Sequence, residues 1–252
     1  MKKKGLLIKT LNAAAVALTI FVNFLANYLP INGISTGDVS AEFNNPFTPA
    51  GFTFSIWGII YLLLIIFAVY QFVGRGEIKE KFTTGPFLIL ASLANISWIF
   101  LWHYQYIYLS MLVILILPIS LFPLFKKVSS YKDYSAAEYI SIKLPFSIYT
   151  AWVTIASLAN FMVTLVYFRK SWPDNFLVIA ASISLLIGLF ITIKVIQKFR
   201  NIPFAAVVLW AYFGIISAQF SLNQPAYTVI ITAAASMVII LLQSISIYSS
   251  SE

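Results

Sequence analysis

Apolar residues run along this chain in long blocks, and charged residues fall between the blocks. Charge-free windows extend from Thr10 to Gly37, Phe43 to Gly74, Phe82 to Phe125, Leu144 to Phe168, Asn175 to Ile193 and Asn201 to Ser251. A helix needs about 20 residues to cross a bilayer. The third and last windows are long enough for two crossings each. Each has a polar break near its middle, His103-Tyr-Gln-Tyr106 in one and Asn223-Gln-Pro225 in the other. The pattern therefore predicts eight helices, roughly 6–28, 51–73, 86–103, 107–125, 144–167, 175–197, 203–221 and 225–247. The runs are continuous and do not alternate, which excludes the strands of a membrane barrel. The fold class expected is all-α, a polytopic transmembrane helical bundle.

Composition sharpens this reading. Of 252 residues, 61% are hydrophobic and only 10% are charged, against about 25% charged in soluble domains. The net charge of +8 is a topology signal. With the N-terminus inside, the inner segments carry Lys2, Lys3, Lys4, Lys9, Arg75, Lys79, Lys81, Lys126, Lys127, Lys132, Lys143, Lys194, Lys198 and Arg200. The outer segments carry only Arg169 and Lys170. Lys and Arg concentrate in cytoplasmic loops, so both termini are expected in the cytoplasm. Short loops and a simple basic N-terminus point to a bacterial plasma membrane. The basic residues are spread over four inner segments and form no recognition motif, so nucleic acid is not an expected partner. The Lys2–Lys4 run followed by apolar residues looks like a signal peptide. The apolar run is long, contains Asn12, Asn23 and Asn27, and lacks a small-x-small site, so it reads as an uncleaved first helix. With no Cys there is neither a disulfide nor a thiolate metal site.

Three groups of positions stand out. The first is Asn45-Pro-Phe47-Thr-Pro49-Ala-Gly51-Phe-Thr-Phe54-Ser-Ile-Trp57-Gly-Ile-Ile-Tyr61. Pro46 and Pro49 fix φ and withhold donors, so the stretch opens as a turn. It then becomes an apolar helix on which Phe54, Trp57 and Tyr61, three and four apart, share a face. Such a face is either a wall for a flat apolar ligand or a belt of interfacial aromatics, the commoner case. The second group is Asn95, Trp98 and Trp102, a stripe on the third helix. The third is Trp152, Ala156 and Asn160 at i, i+4 and i+8 on the fifth. A small residue between an aromatic and an amide leaves a hollow for a ring or for a neighbouring helix. His103, the one histidine, could ligate haem or act as a base. An interfacial histidine is the favoured reading.

These groups resemble the TspO/MBR family of tryptophan-rich sensory proteins, relatives of the mitochondrial translocator protein. The family signature runs roughly Pro-x-Trp-Thr-Pro-Pro-Gly-x-x-Phe-x-x-x-Trp-x-x-x-Tyr. Here Pro46-Phe47-Thr48-Pro49-Ala50-Gly51 follows it, with Phe for Trp and Ala for the second Pro. Phe54 precedes Trp57 by three residues where the family has four, a rotation of roughly 100° on a helix. Asn95/Trp98 and Trp152/Ala156/Asn160 match the family's third and fifth helices. The resemblance covers about residues 1–168, a five-helix region, and leaves 169–252 as a region of three additional helices. It implies a ligand pocket lined by Phe47, Pro49, Phe54, Trp57, Trp98, Trp152 and Ala156, with Asn95 and Asn160 anchoring polar edges. The outer connection from Leu29 to Ala50 would cover it. It also implies a membrane sensor or receptor for a porphyrin, tetrapyrrole or similar flat hydrophobic molecule, often dimeric, with membrane lipid around it.

The remaining chemistry is sparse. No charged residue lies centrally in any expected span, which weighs against an ion-coupled pump. No triad, metal cluster or phosphate loop is present, so neither an enzyme nor a resident cofactor is expected. Leu165-Val-Tyr167-Phe-Arg169 meets the loose cholesterol pattern, but a membrane-edge Tyr/Arg pair explains it and sterol binding is not expected. An internal echo links Pro145-Phe146-x5-Trp152-x3-Ala156 to Pro203-Phe204-x5-Trp210-x3-Gly214. Chance is the default explanation. An eight-helix transporter of small hydrophobic molecules, or a subunit whose last helices dock a partner, remains open beside the receptor.

Overall fold

The structure, a computed structural model, describes residues 2–168, 173 and 175–249. Arg169, Lys170, Trp172 and Asp174, expected in an outer turn, lie outside the described residues. The helices in chain order are α1 (Lys2–Tyr28), the short α2 (Thr36–Glu42), α3 (Ile56–Val73), the short α4 (Glu77–Lys81), α5 (Phe87–His103), α6 (Ile107–Ser130), the single turn α7 (Ala136–Glu138), α8 (Leu144–Tyr167), α9 (Phe176–Phe199), α10 (Ile202–Phe220) and α11 (Tyr227–Ser249). No strand occurs among the described residues. Seven helical segments are long and apolar enough to cross a membrane, and the 17-residue α5 is a shorter apolar eighth. The protein is a polytopic membrane bundle, as the hydrophobic blocks predict.

The deviations from the expected limits have local causes. The sixth helix runs on to Ser130, through Pro118, Pro123, Lys126 and Lys127. A charge ends an apolar window, but the helix can continue into water with its lysines extended. The fifth span begins early as well. Ser135 and Glu138 form a capping box over α7, the sequence signature of a helix start. A π turn, Tyr139–Lys143, then leads without interruption into α8.

Contacts divide the chain into two compact units, the first being Met1–Thr36 with Ile56–Thr150. Within it α5 packs on α6 and α1, and α1 packs on α3. Each asparagine of α1 donates through its amide nitrogen, as a polar group in an apolar setting requires. Asn23 donates to the Thr19 carbonyl (2.9 Å) and to Asn95 Oδ1 (2.7 Å). Asn27 donates to the Asn23 carbonyl (2.9 Å) and Asn12 to Thr84 Oγ1 (2.5 Å). At the lysine-rich end the buried Glu138 ties two connections together. Its Oε1 accepts from the amides of Ile78 and Lys79, and its Oε2 from the amide and hydroxyl of Ser135. Gly76 (φ 140°) sits against that carboxylate, where a Cβ would overlap it.

The second unit is Gly37–Ser55 with Ala151–Glu252. Here α11 packs on α9, α10 packs on both, and the Gly51–Ser55 turn lies on α10. Gly188 leaves room on α9 for the Tyr212 hydroxyl of α10, which a Cβ there would overlap. That hydroxyl donates to the Leu185 carbonyl at 2.5 Å.

Candidate ligand-binding site

The signature stretch opens as a turn. Asn45 Oδ1 accepts from the Phe47 amide (3.0 Å) and the Asn45 carbonyl from the Thr48 amide (2.9 Å). Gly51–Ser55 follows as a 3-10 turn, and the α-helix begins only at Ile56. This corrects the expected single helical face. Trp57 and Tyr61 do stack, with centroids 5.5 Å apart at 18°. Phe54, in the tighter turn, instead meets Trp152 edge-on at 6.2 Å. The cause lies in α10, which holds the turn at three points. The Gly214 carbonyl accepts from the Ala50 amide (3.0 Å), Trp210 Nε1 donates to the Thr53 carbonyl (3.0 Å), and Gln219 Nε2 donates to the Pro46 carbonyl (3.1 Å). Gln219 Oε1 also accepts from the Ala226 amide (2.9 Å), fastening the start of α11 to the same side chain.

In the first unit the structure brings Trp57, Asn95 and Trp98 together. Trp57 lies 6.5 Å from Trp98 and 6.0 Å from Tyr149, and Trp98 stacks on Trp102 at 5.5 Å. Trp57 is half-buried, whereas Asn95, Trp98 and Tyr149 are buried. Around these rings lie three buried polar groups, the Asn95 amide nitrogen, Trp98 Nε1 and the Tyr149 hydroxyl; the Asn95 amide faces the Tyr149 oxygen, and Trp98 Nε1 has no partner. All three can donate. Buried donors are nearly always satisfied in folded proteins, which sets this cluster apart from the rest of the first unit.

In the second unit Trp152, Ala156 and Asn160 lie on one face of α8, with Trp152 and Asn160 buried and Ala156 half-buried. Phe54 and Trp152 touch, Phe47 is buried within the signature turn, and Pro49 is half-exposed. Aromatic contacts of similar kind occur on α8 and α10. Phe54 packs on Trp152, and Phe52 packs on Trp210 at 5.4 Å. Gly214, the counterpart of Ala156, receives Thr53. Sequence reasoning passed over Tyr149, Trp210, Gly214 and Gln219 as site-forming residues. Tyr149 precedes Trp152 by three and lies close to its stripe, and the echo marks Trp210 and Gly214. Nothing in the sequence singles out Gln219.

A model of TSPO-like proteins matches residues 9–247. The chain belongs to that family. No curated protein and no solved structure matches it. The match takes in the three long helices after residue 168 together with the five before it. In this TSPO-like protein the connection from Leu29 to Ala50 is an ordered strap. It forms a 3-10 turn at Ile31–Gly33 and then α2. His103, expected at the interface, is fully buried beneath the strap's first part. Nδ1 meets the Ile31 carbonyl at 3.1 Å and Nε2 meets Thr36 Oγ1 at 2.9 Å. A carbonyl can only accept, so Nδ1 carries the proton, and neutral Nε2 accepts from the hydroxyl. Asn32 Nδ2 donates to the His103 carbonyl (3.0 Å), and Trp102 Nε1 to the Thr36 carbonyl (3.1 Å).

Proposed function

We propose that this TSPO-like protein is a membrane receptor for a flat, hydrophobic molecule of the tetrapyrrole class that carries hydrogen-bond acceptors. The observation that carries this reading is the Trp57–Trp98–Tyr149 cluster with its buried donors, Trp98 Nε1, the Tyr149 hydroxyl and the Asn95 amide. Offset aromatic stacking contributes about 0.5–1.5 kcal/mol per ring pair beyond area burial. The donors orient the ligand by its carbonyl or carboxylate edges. Porphyrin side-chain carboxylates have that chemistry, and the family resemblance points to the same class. His103 is engaged with Ile31 and Thr36, and among the described residues no group of three His, Cys, Asp or Glu is placed to hold a metal.

The test is a titration of detergent-purified protein with protoporphyrin IX, followed by quenching of tryptophan fluorescence. Saturable quenching is expected. Trp57→Leu should weaken it about tenfold, which corresponds to 1.4 kcal/mol. Unchanged affinity in the folded variant sinks the assignment. The paired Phe–Trp contacts on α8 and α10 favour a second reading, a transporter built on a parallel repeat. Flux of the porphyrin across proteoliposomes separates the two. The membrane is read as the bacterial plasma membrane, with both termini cytoplasmic.

A further inference from the structure

A cavity of about 380 Å³ lies in the first unit at its lysine-rich end, among the start of α1, the end of α3, α4 and the stretch leading to α5. Gly5, Ile8, Lys9 and Asn12 present one face of α1 to it. The apolar walls include Phe67 and Phe82, and the rim carries Lys9, Lys79 and Glu80. Neither lysine has an ion-pair partner among the described residues. Asn12 is 2% exposed, and its Oδ1 has no partner. Its Nδ2 donates to the Thr84 hydroxyl oxygen (2.5 Å).

Two unpaired ammoniums call for an anion, and a buried amide oxygen calls for a donor close by. A phosphate esterified to a small alcohol that bears O–H or N–H meets both requirements. We propose that this cavity binds such a group, the phosphoglycerol or phosphoethanolamine head of a membrane phospholipid or the equivalent free phosphate ester. Phosphate would lie between Lys9 and Lys79, with the hydroxyl or ammonium directed to Asn12 Oδ1 and Glu80. The volume is near the lower end of ligand pockets, about 300–1,000 Å³. That suits a headgroup and excludes a whole lipid. Basic pockets between membrane helices are a known means of holding phosphorylated heads. This site shares no residue with the aromatic cluster.

Native mass spectrometry of the detergent-purified full chain tests the proposal. The probes are phosphatidylglycerol, phosphatidylethanolamine, phosphatidylcholine and free glycerol 3-phosphate. Phosphatidylcholine is the discriminating probe, because its quaternary ammonium has no N–H. The first two lipids should bind about tenfold more tightly than phosphatidylcholine, the equivalent of 1.4 kcal/mol. Lys9→Gln/Lys79→Gln, which alters only rim side chains, should lower their affinity by at least that factor with an unchanged unfolding midpoint. Asn12→Leu should bring them down to the phosphatidylcholine level. Equal binding of all three lipids, or wild-type binding by the double lysine variant, overturns the proposal. Displacement of bound lipid by glycerol 3-phosphate assigns the site to a soluble ester, and resistance to displacement assigns it to the lipid.

Discussion

At Gly214 one absent side chain decides how the signature turn is held. A Cβ there would overlap Thr53 Oγ1 and come within 2.8 and 2.9 Å of the Thr53 Cγ2 and Cβ. The neighbour is a β-branched residue with a stiff χ1, so the strain would pass to the backbone. The Ala50-to-Gly214 hydrogen bond lies along that path. Overpacking of this kind costs about 1–3 kcal/mol. Gly58, inside α3, is the opposite case, with no atom within 4 Å of its would-be Cβ. A helix-interior glycine gives up about 1 kcal/mol to alanine. The same substitution should therefore have opposite signs. Gly214→Ala lowers the thermal unfolding midpoint in detergent, and Gly58→Ala leaves it equal or raises it. A midpoint for Gly214→Ala at or above wild type would show that Thr53 is not held as described.

At the scale of elements, the outer connection is where the sequence was least legible. The eight long helices could be read because bilayer thickness and the cost of buried charge act on every residue of a span. Both polar breaks fall where the pattern puts them, with Gln105 in a left-handed conformation between α5 and α6. Helical spacing also made Trp57 with Tyr61, and Asn95 with Trp98, readable. The partners of the strap were not readable. Ile31, Asn32 and Thr36 meet His103 across about 70 residues of chain, and long-range polar pairs leave no periodic trace. The strap's order rests on those bonds. Removing one partner of a buried hydrogen bond costs about 1–3 kcal/mol. Thr36→Val strands the His103 Nε2 acceptor and keeps the side chain's volume. Amide hydrogen exchange at residues 31–36 should then quicken roughly five- to 150-fold, the same energy expressed as an opening equilibrium. Exchange as slow as wild type would mean that the imidazole contributes nothing to the strap's order.

For the whole molecule, the decisive quantity is where its positive charge lies between helices. Lys132 stands between α6 and α7, and Asn223 between α10 and α11; both are exposed. Three long helices, α8, α9 and α10, separate them, so the two positions must face opposite sides of the membrane in either orientation. Charge then selects the orientation. Fourteen of the 16 Lys and Arg residues lie in the segments on the Lys132 side, and the translocation of short basic loops is disfavoured. The chain contains no Cys, so single cysteines report their positions without background. In intact cells a membrane-impermeant maleimide should label Asn223→Cys, while Lys132→Cys should react only after lysis. Labelling of both from the same side would break the span count, because one of α8 to α10 would then fail to cross. The opposite pattern would preserve the eight helices and reverse the protein. It would place the Lys9–Lys79 cavity on the outer leaflet, where a headgroup would have to be drawn from different lipids.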